Sequence, residues 1–160
     1  MFGFLKREEK FMVSAPISGV LTNLENVNDQ VFSSKMMGDG FAVKPNPGSN
    51  KVVAPVSGKI VSLPSTKHAV GITMDNGIDV LVHVGIDTVE LKGQGFKSFV
   101  KEGQMINRGD KMLSFDENFM EEQGVDMTVM TIFTDGYEKM GKLTKNYGGQ
   151  VTPEDLLLSE

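Results

Sequence analysis

The chain has 160 residues, a formal net charge of −5 and no cysteine. That length serves one domain with a real core; charges of both signs are scattered along it, so no basic face offers itself to nucleic acid, and without thiols, disulfide staples, thiol catalysis and cysteine zinc ribbons are excluded. No apolar run approaches the about 18 residues of a spanning helix and no cleavable signal follows the N-terminus, so a cytoplasmic protein without stable membrane insertion is expected.

The N-terminal MFGFLKREEK sets Phe2, Phe4 and Leu5 beside a mixed charge cluster and reads as a frayed tail, residues 1–10 of a single domain spanning 1–160. From there short β-branched runs alternate with the turn signals NPGSN, VSGK, MDNG, KGQG, KEGQ, NRGD and TDGY, a spacing that predicts an all-β antiparallel sandwich or barrel. Ala15-Pro-Ile-Ser-Gly-Val-Leu recurs as Ala54-Pro-Val-Ser-Gly-Lys-Ile, and each copy starts a strand after proline and bends at glycine, so the pair predicts a duplicated motif. Between the copies, VFSSKMMGDG gathers Val31, Phe32, Met36 and Met37 into an apolar cluster that is either core or a docking patch. VKEGQMINRGDKMLSF (residues 100–115) is a further β segment with two glycine turns. Helical spacing is confined to a short piece over 118–123, and TPEDLLL is expected to open one more helical turn with Thr152 as N-cap and Pro153 at the first position.

The only histidines, His68 and His83, fall in HAVGITM-DNG-IDVLVHV, two strand-like runs joined by Asn76-Gly77. A two-residue loop there sets Val70 opposite His83 and makes His68 its diagonal neighbour on the same face, about 7–8 Å away at the backbone. Thr66 shares that parity and brings a hydroxyl to His68. On this register Ile78, Val80, Val82, Val84 and Ile86 face the core, while Leu81, Val70, Ile72, Asp79 and Asp87 share the histidine face. A three-residue loop would separate the rings.

Two imidazoles on one face admit several readings. They are ordinary half-buried residues bonded to carbonyls, or an incomplete zinc site that binds metal weakly unless a partner completes it, or a nucleophile and its assistant. With no thiol and no serine in a nucleophile turn, a neutral imidazole nitrogen is the most competent nucleophile in the chain, and a second ring N–H suits phosphoryl oxygens. No Gly-rich Lys-Ser/Thr loop is present to hold a nucleotide, so the phosphoryl donor is expected to be another protein's phospho-residue, with no obligatory cofactor.

The segments VHVGIDTVELKGQGF (residues 82–96), Thr66-Lys-His68-Ala, VVAPVSGKI and VFSSKMMGDGFAVKP resemble the glucose-type IIA component of the bacterial phosphoenolpyruvate-dependent sugar phosphotransferase system, with similarity from about Ala15 to Asp116. The resemblance implies an antiparallel β-sandwich with a duplicated motif that takes phosphate from the histidine phosphocarrier protein and passes it to a cysteine of a permease IIB domain. It implies His83 as acceptor through Nε2, His68 as its partner and Thr66 bonded to His68. It further implies a partner-binding rim of Val31, Phe32, Met37, Leu81 and Val89, flanked by Asp29, Asp39 and Asp87. The chain departs from the family where phenylalanines are common: Val70, Leu81 and Val84 stand there, and similarity weakens from Asn118 onward, where relatives have a strand near the end. Beginning at Met1 without a permease segment, the chain reads as free-standing, and a domain excised from a larger permease would read the same way. Two rival readings remain: a biotinyl- or lipoyl-type carrier, suggested by APVSGKIV and Lys35-Met36, whose lysine must crown an exposed hairpin, and a β-sandwich zinc hydrolase, which needs a third ligand.

Overall fold

The computed structural model describes residues 11–160; the tail expected over residues 1–10 lies outside them. The described chain forms β1 (Met12–Ser14), β2 (Gly19–Asn23), α1 (Gln30–Ser33), β3 (Asp39–Pro45), β4 (Lys51–Val53), β5 (Gly58–Ser62), β6 (Ala69–Met74), β7 (Asp79–Val84), β8 (Phe96–Ser98), β9 (Met105–Ile106), β10 (Lys111–Phe115), α2 (Glu117–Glu122), β11 (Val129–Phe133), β12 (Gln150–Val151) and β13 (Leu156–Ser159). Eight strands make one antiparallel sheet in the order β12-β2-β3-β11-β7-β6-β5-β9, while β4-β10-β8 and β1-β13 make two smaller ones. The large sheet is open, with β12 and β9 at its edges, so the sandwich alternative holds and barrel closure does not. Among the described residues no helix is long and apolar enough to cross a membrane.

Side chains alternate across a strand, and here the alternation divides two cores. Phe41 and Val43 of β3, Val129 and Phe133 of β11, Val80, Val82 and Val84 of β7, and Val70, Ile72 and Met74 of β6 point to one face, where they meet Val13, Val52, Met112, Leu113, Leu157 and Leu158 from the smaller sheets. The opposite face of β3, β11 and β7 carries Ala42, Met130 and Ile132, with Leu81 packed beside them. That face is covered by the connection from β2 to β3, which runs back over the sheet and lays Leu24, Val27 and Phe32 on it. A sheet of three central strands is thus apolar on both faces.

The Ala-Pro-x-Ser-Gly repeat is a structural duplication. Ser14 N–H donates to Pro55 O (2.9 Å) and, reciprocally, Val53 N–H donates to Pro16 O (2.8 Å), so equivalent residues of the two copies bond to each other. Each repeat glycine opens a strand where a methyl group would run into a neighbouring carbonyl, Lys44 O at Gly19 and Thr73 O at Gly58, so only glycine fits. β2 then pairs with β3 as β5 pairs with β6, and β12 borders β2 as β9 borders β5.

The C-terminus completes the second half of that correspondence and corrects the expected helical turn. Thr152 N–H donates to Asp155 Oδ2 (2.7 Å) in TPED just as Asn107 N–H donates to Asp110 Oδ2 (2.9 Å) in NRGD. The chain then continues as β13, paired with β1, as β10 pairs with β4. Proline's fixed φ suits the second position of a tight turn as well as the first turn of a helix, and burial of Leu157 and Leu158 in the main core decides for the strand. The short helix expected over 118–123 is present as α2, capped by Asp116, whose Oδ1 accepts from Phe119 N–H (3.1 Å), and anchored by buried Met120.

Candidate functional site

The β6–β7 hairpin brings both histidines to the second face of the large sheet, but not by the expected register. Its loop has three residues, Asp75 to Gly77: Met74 N–H donates to Ile78 O (2.8 Å), Gly77 N–H to Met74 O (2.9 Å), and Asn76 Oδ1 accepts from Ile78 N–H (3.0 Å). Gly77, at φ 87°, supplies the left-handed residue that a three-residue hairpin needs. Ala69, not Val70, therefore stands opposite His83. Val70 and Ile72, expected beside the histidines, turn into the main core, and Ile86, expected there, packs with the second cluster after the chain turns at Gly85.

By strand parity alone His68 would point away from His83. It precedes β6, however, and Lys67 before it is left-handed at φ 53°, which breaks the alternation. The His68 carbonyl still accepts from Val84 N–H (2.7 Å), so the strand edge stays paired while the side chain turns toward His83. The two rings meet edge to face, 5.0 Å between centroids at 76°.

Each ring is held through Nδ1. His83 Nδ1 lies 2.9 Å from Gly85 O, and since a carbonyl only accepts, Nδ1 carries the proton and Nε2 keeps its lone pair. His68 Nδ1 lies 2.7 Å from Thr66 Oγ1. Burial lowers the His83 pKa to about 4; the neighbouring His68 charge acts in the same sense, and the Gly85 carbonyl and Asp29 oppose it. His68 is also lowered by burial. Both imidazoles are therefore neutral near pH 7, the form that can attack.

Of the residues expected in the rim, Asp29 caps α1, Val31 and Phe32 lie on it, Met37 and Asp39 follow it, Leu81 lies on β7, and Asp87 and Val89 lie in the turn after β7. Asp29 caps α1, its Oδ1 accepting from Val31 N–H (2.9 Å), and the single helical turn presses Phe32 onto the His83 ring at 4.7 Å and 53°. Phe32 is 7% exposed, whereas Val31, Met37 and Val89 are between 45% and 48% exposed, so the first works as a wall and the others as open surface. Leu81 is half-buried against the second cluster. Asp87, left-handed at φ 57°, precedes the 3-10 turn Thr88–Leu91. Asp39 differs from a free flanking acid: Lys35 Nζ bridges it (3.4 Å) to Glu25 (3.0 Å), and its Oδ1 accepts from Gly40 N–H (2.8 Å).

Three groups at the site escaped the sequence reading: the Gly85 carbonyl, the Lys35 clasp and Thr88, a fully buried residue whose hydroxyl donates to Val84 O at 2.6 Å and lies 3.5 Å from Gly85 O. A glycine two residues after the histidine and a hydroxyl three further on was the available signal, since a left-handed glycine reverses the chain onto itself. Among the described residues no group of three His, Cys, Asp or Glu is placed to hold a metal ion, so the zinc hydrolase lacks its third ligand. The carrier reading loses its lysine: Lys35 sits in the turn after α1, ion-paired, not at a hairpin tip.

The sequence family described as the phosphoenolpyruvate-dependent sugar phosphotransferase system, EIIA 1, matches residues 11–138. Over 134 residues the chain is 42% identical to glucose-specific EIIA components of Bacillus cereus and Bacillus anthracis, covering 84% of this chain and 80% of each relative. It is 47% identical over 124 residues to the glucosamine-specific EIICBA component of Bacillus subtilis, a match covering 78% of this chain and 19% of that longer protein. The glucose permease IIA structure from Mycoplasma capricolum superposes with a TM-score of 0.83 at 38% identity, over 95% of this chain and 96% of that one. With the duplicated antiparallel fold and the paired histidines in place, the chain belongs to the EIIA 1 family of the phosphoenolpyruvate-dependent sugar phosphotransferase system, as a phosphoryl-transfer component.

Proposed function

We propose that His83 accepts a phosphoryl group through Nε2 from the phosphohistidine of the histidine phosphocarrier protein and donates it to a cysteine of the IIB domain of a glucose-type permease. The observation that carries this reading is the Nδ1–H bond from His83 to Gly85 O, which leaves Nε2 as the ring's only lone pair, beside His68. In acceptance the carrier's N–P bond breaks as the Nε2–P bond forms, and His83 keeps its Nδ1 proton throughout. In donation the cysteine thiolate attacks phosphorus, the Nε2–P bond breaks, and the ring leaves neutral. No cofactor enters either step.

His68 serves as donor to the phosphoryl oxygens. For its Nε2 to carry a proton its Nδ1 must accept, so Thr66 O–H donates to it. Both the carrier and the IIB domain dock on Val31, Phe32, Met37, Leu81 and Val89. Asp29 and Asp87 meet cationic side chains there, and Asp39 does so where a partner's cation replaces Lys35. Incubation of the purified chain with phosphoenolpyruvate and the two general carrier proteins should give an acid-labile label mapped to His83 and absent from His83→Ala. A wild-type chain that takes no label, or a variant labelled equally, overturns the proposal.

A further inference from the structure

The turn that holds His83 is pinned peptide by peptide. The Val84–Gly85 peptide is bonded at both ends: Thr88 O–H donates to Val84 O (2.6 Å), and Gly85 N–H donates to Thr128 O (2.9 Å). In the next peptide Ile86 N–H donates to Asp126 O (2.8 Å), leaving Gly85 O to receive His83 Nδ1–H. Thr128 is itself fixed, with N–H and O–H both on Asp126 Oδ1 (3.0 and 2.7 Å). Gly85 has φ 82°, and a Cβ there would stand 2.5 Å from Thr88 Cγ2, so the threonine methyl fills the space the glycine vacates. Thr88 uses both branches of its side chain on this one turn, and it is 0% exposed.

We propose that Thr88 is a positioning residue of the transfer reaction: by fixing the Val84–Gly85 peptide from below, it aims the Gly85 carbonyl at His83 Nδ1 and so selects the tautomer whose Nε2 attacks. The inference rests on the phosphoryl-transfer reading of His83. A β-branched residue with a hydroxyl meets both requirements, since valine keeps the methyl contact but loses the donor, and serine keeps the donor but loses the methyl. Thr88 touches no partner, so its effect falls on the chemical step and not on docking.

The test uses the full chain labelled with 15N in histidine. In wild type, two-bond proton–nitrogen correlation at pH 7.5, with no phosphate present, should show His83 protonated at Nδ1 alone. Thr88→Val should show a mixture of both tautomers, and carrier-dependent labelling should lose about tenfold in kcat, the order of one hydrogen bond, with KM for the phosphocarrier unchanged. Thr88→Ser should restore the single tautomer and most of the rate. Should Thr88→Val fail to fold, Thr88→Ala beside Thr88→Ser reads the same contrast. A single Nδ1–H tautomer with wild-type kcat in the hydroxyl-free variant overturns the inference, as does equal behaviour of the alanine and serine variants. Failure of the underlying reading looks different: wild type then takes no label while the tautomer comparison still stands.

Discussion

Phe32 leans on His83 with ring centroids 4.7 Å apart, so a residue from the first half of the duplicated chain forms one wall around the histidine that the second half supplies. The contact exists because the β2–β3 connection folds back over the sheet and Asp29 starts a helical turn there. It places an aromatic ring against the histidine whose pKa burial depresses to about 4.

Removing that wall should move the titration. In Phe32→Ala the His83 pKa is expected to rise from about 4 toward 6.5, because desolvation is the leading cause of its depression. Docking of the phosphocarrier should weaken by about 1–2 kcal/mol as the rim loses an aromatic anchor. Ring-proton titration and the KM for the carrier check the two effects separately, and an unmoved pKa would assign the desolvation to other neighbours.

Substitution of His68 by glutamine should split the two half-reactions. The amide still donates one hydrogen bond, so acceptance of phosphate should stay within a few fold, but it cannot follow the imidazole's protonation as charge leaves the phosphoryl group. Single-turnover donation to the IIB domain is expected to slow about tenfold or more. Equal slowing of both steps would remove His68 from a selective role in donation.

Acid should destabilise the fold through His83. Its folded pKa lies below the ordinary value of 6.5, so between 6.5 and about 4 the unfolded chain binds the proton that the folded chain refuses. Stability from this group is therefore intact above pH 6.5, falls as the pH drops through that window, and levels off below about 4. The loss amounts to about 3 kcal/mol across the window. Urea midpoints at pH 7 and pH 4.5, for wild type and for His83→Gln, measure it: the variant should show the smaller drop.

Two glycines with similar backbone angles should respond very differently to alanine. Gly77 has φ 87° and nothing within 4 Å of an added Cβ, so Gly77→Ala should cost about 1 kcal/mol of backbone strain. Gly85 adds to that strain the collision with Thr88 Cγ2, and Gly85→Ala should cost about 3 kcal/mol and displace the carbonyl that holds His83. Denaturant unfolding of the two variants side by side tests the difference.

The hairpin and the duplicated corners are legible in the sequence because each depends on local signals, namely the Asn76-Gly77 turn and the Ala-Pro-x-Ser-Gly repeat; the meeting of the histidines does not follow from those signals, since the three-residue loop by itself turns the rings apart. The observed register departs from the expected one because the same Asn-Gly pair serves loops of two or three residues, and one residue inverts every side chain of a strand. A second irregularity at Lys67 restores the meeting of the rings, and no pattern in the chain announces a left-handed lysine. α1 was invisible as a helix since a single turn has no periodicity to detect. The C-terminal strand hid behind Pro153, whose preferred geometry is shared by helix and turn; the likeness of TPEDLLLS to NRGDKMLS was the clue that would have revealed it.

Duplication also leaves the two halves unequal at the histidine position. Counting along the paired strands from Gly19 and from Gly58, the counterpart of His83 in the other half is Ile132, sealed at 0% exposure among Leu24, Phe32 and Met130. Hydrocarbon occupies the sister position, and the polypeptide that would have built a matching centre is spent on roofing the first. On the proposed reading of His83, the twofold ancestry therefore supplies one loading position and not two.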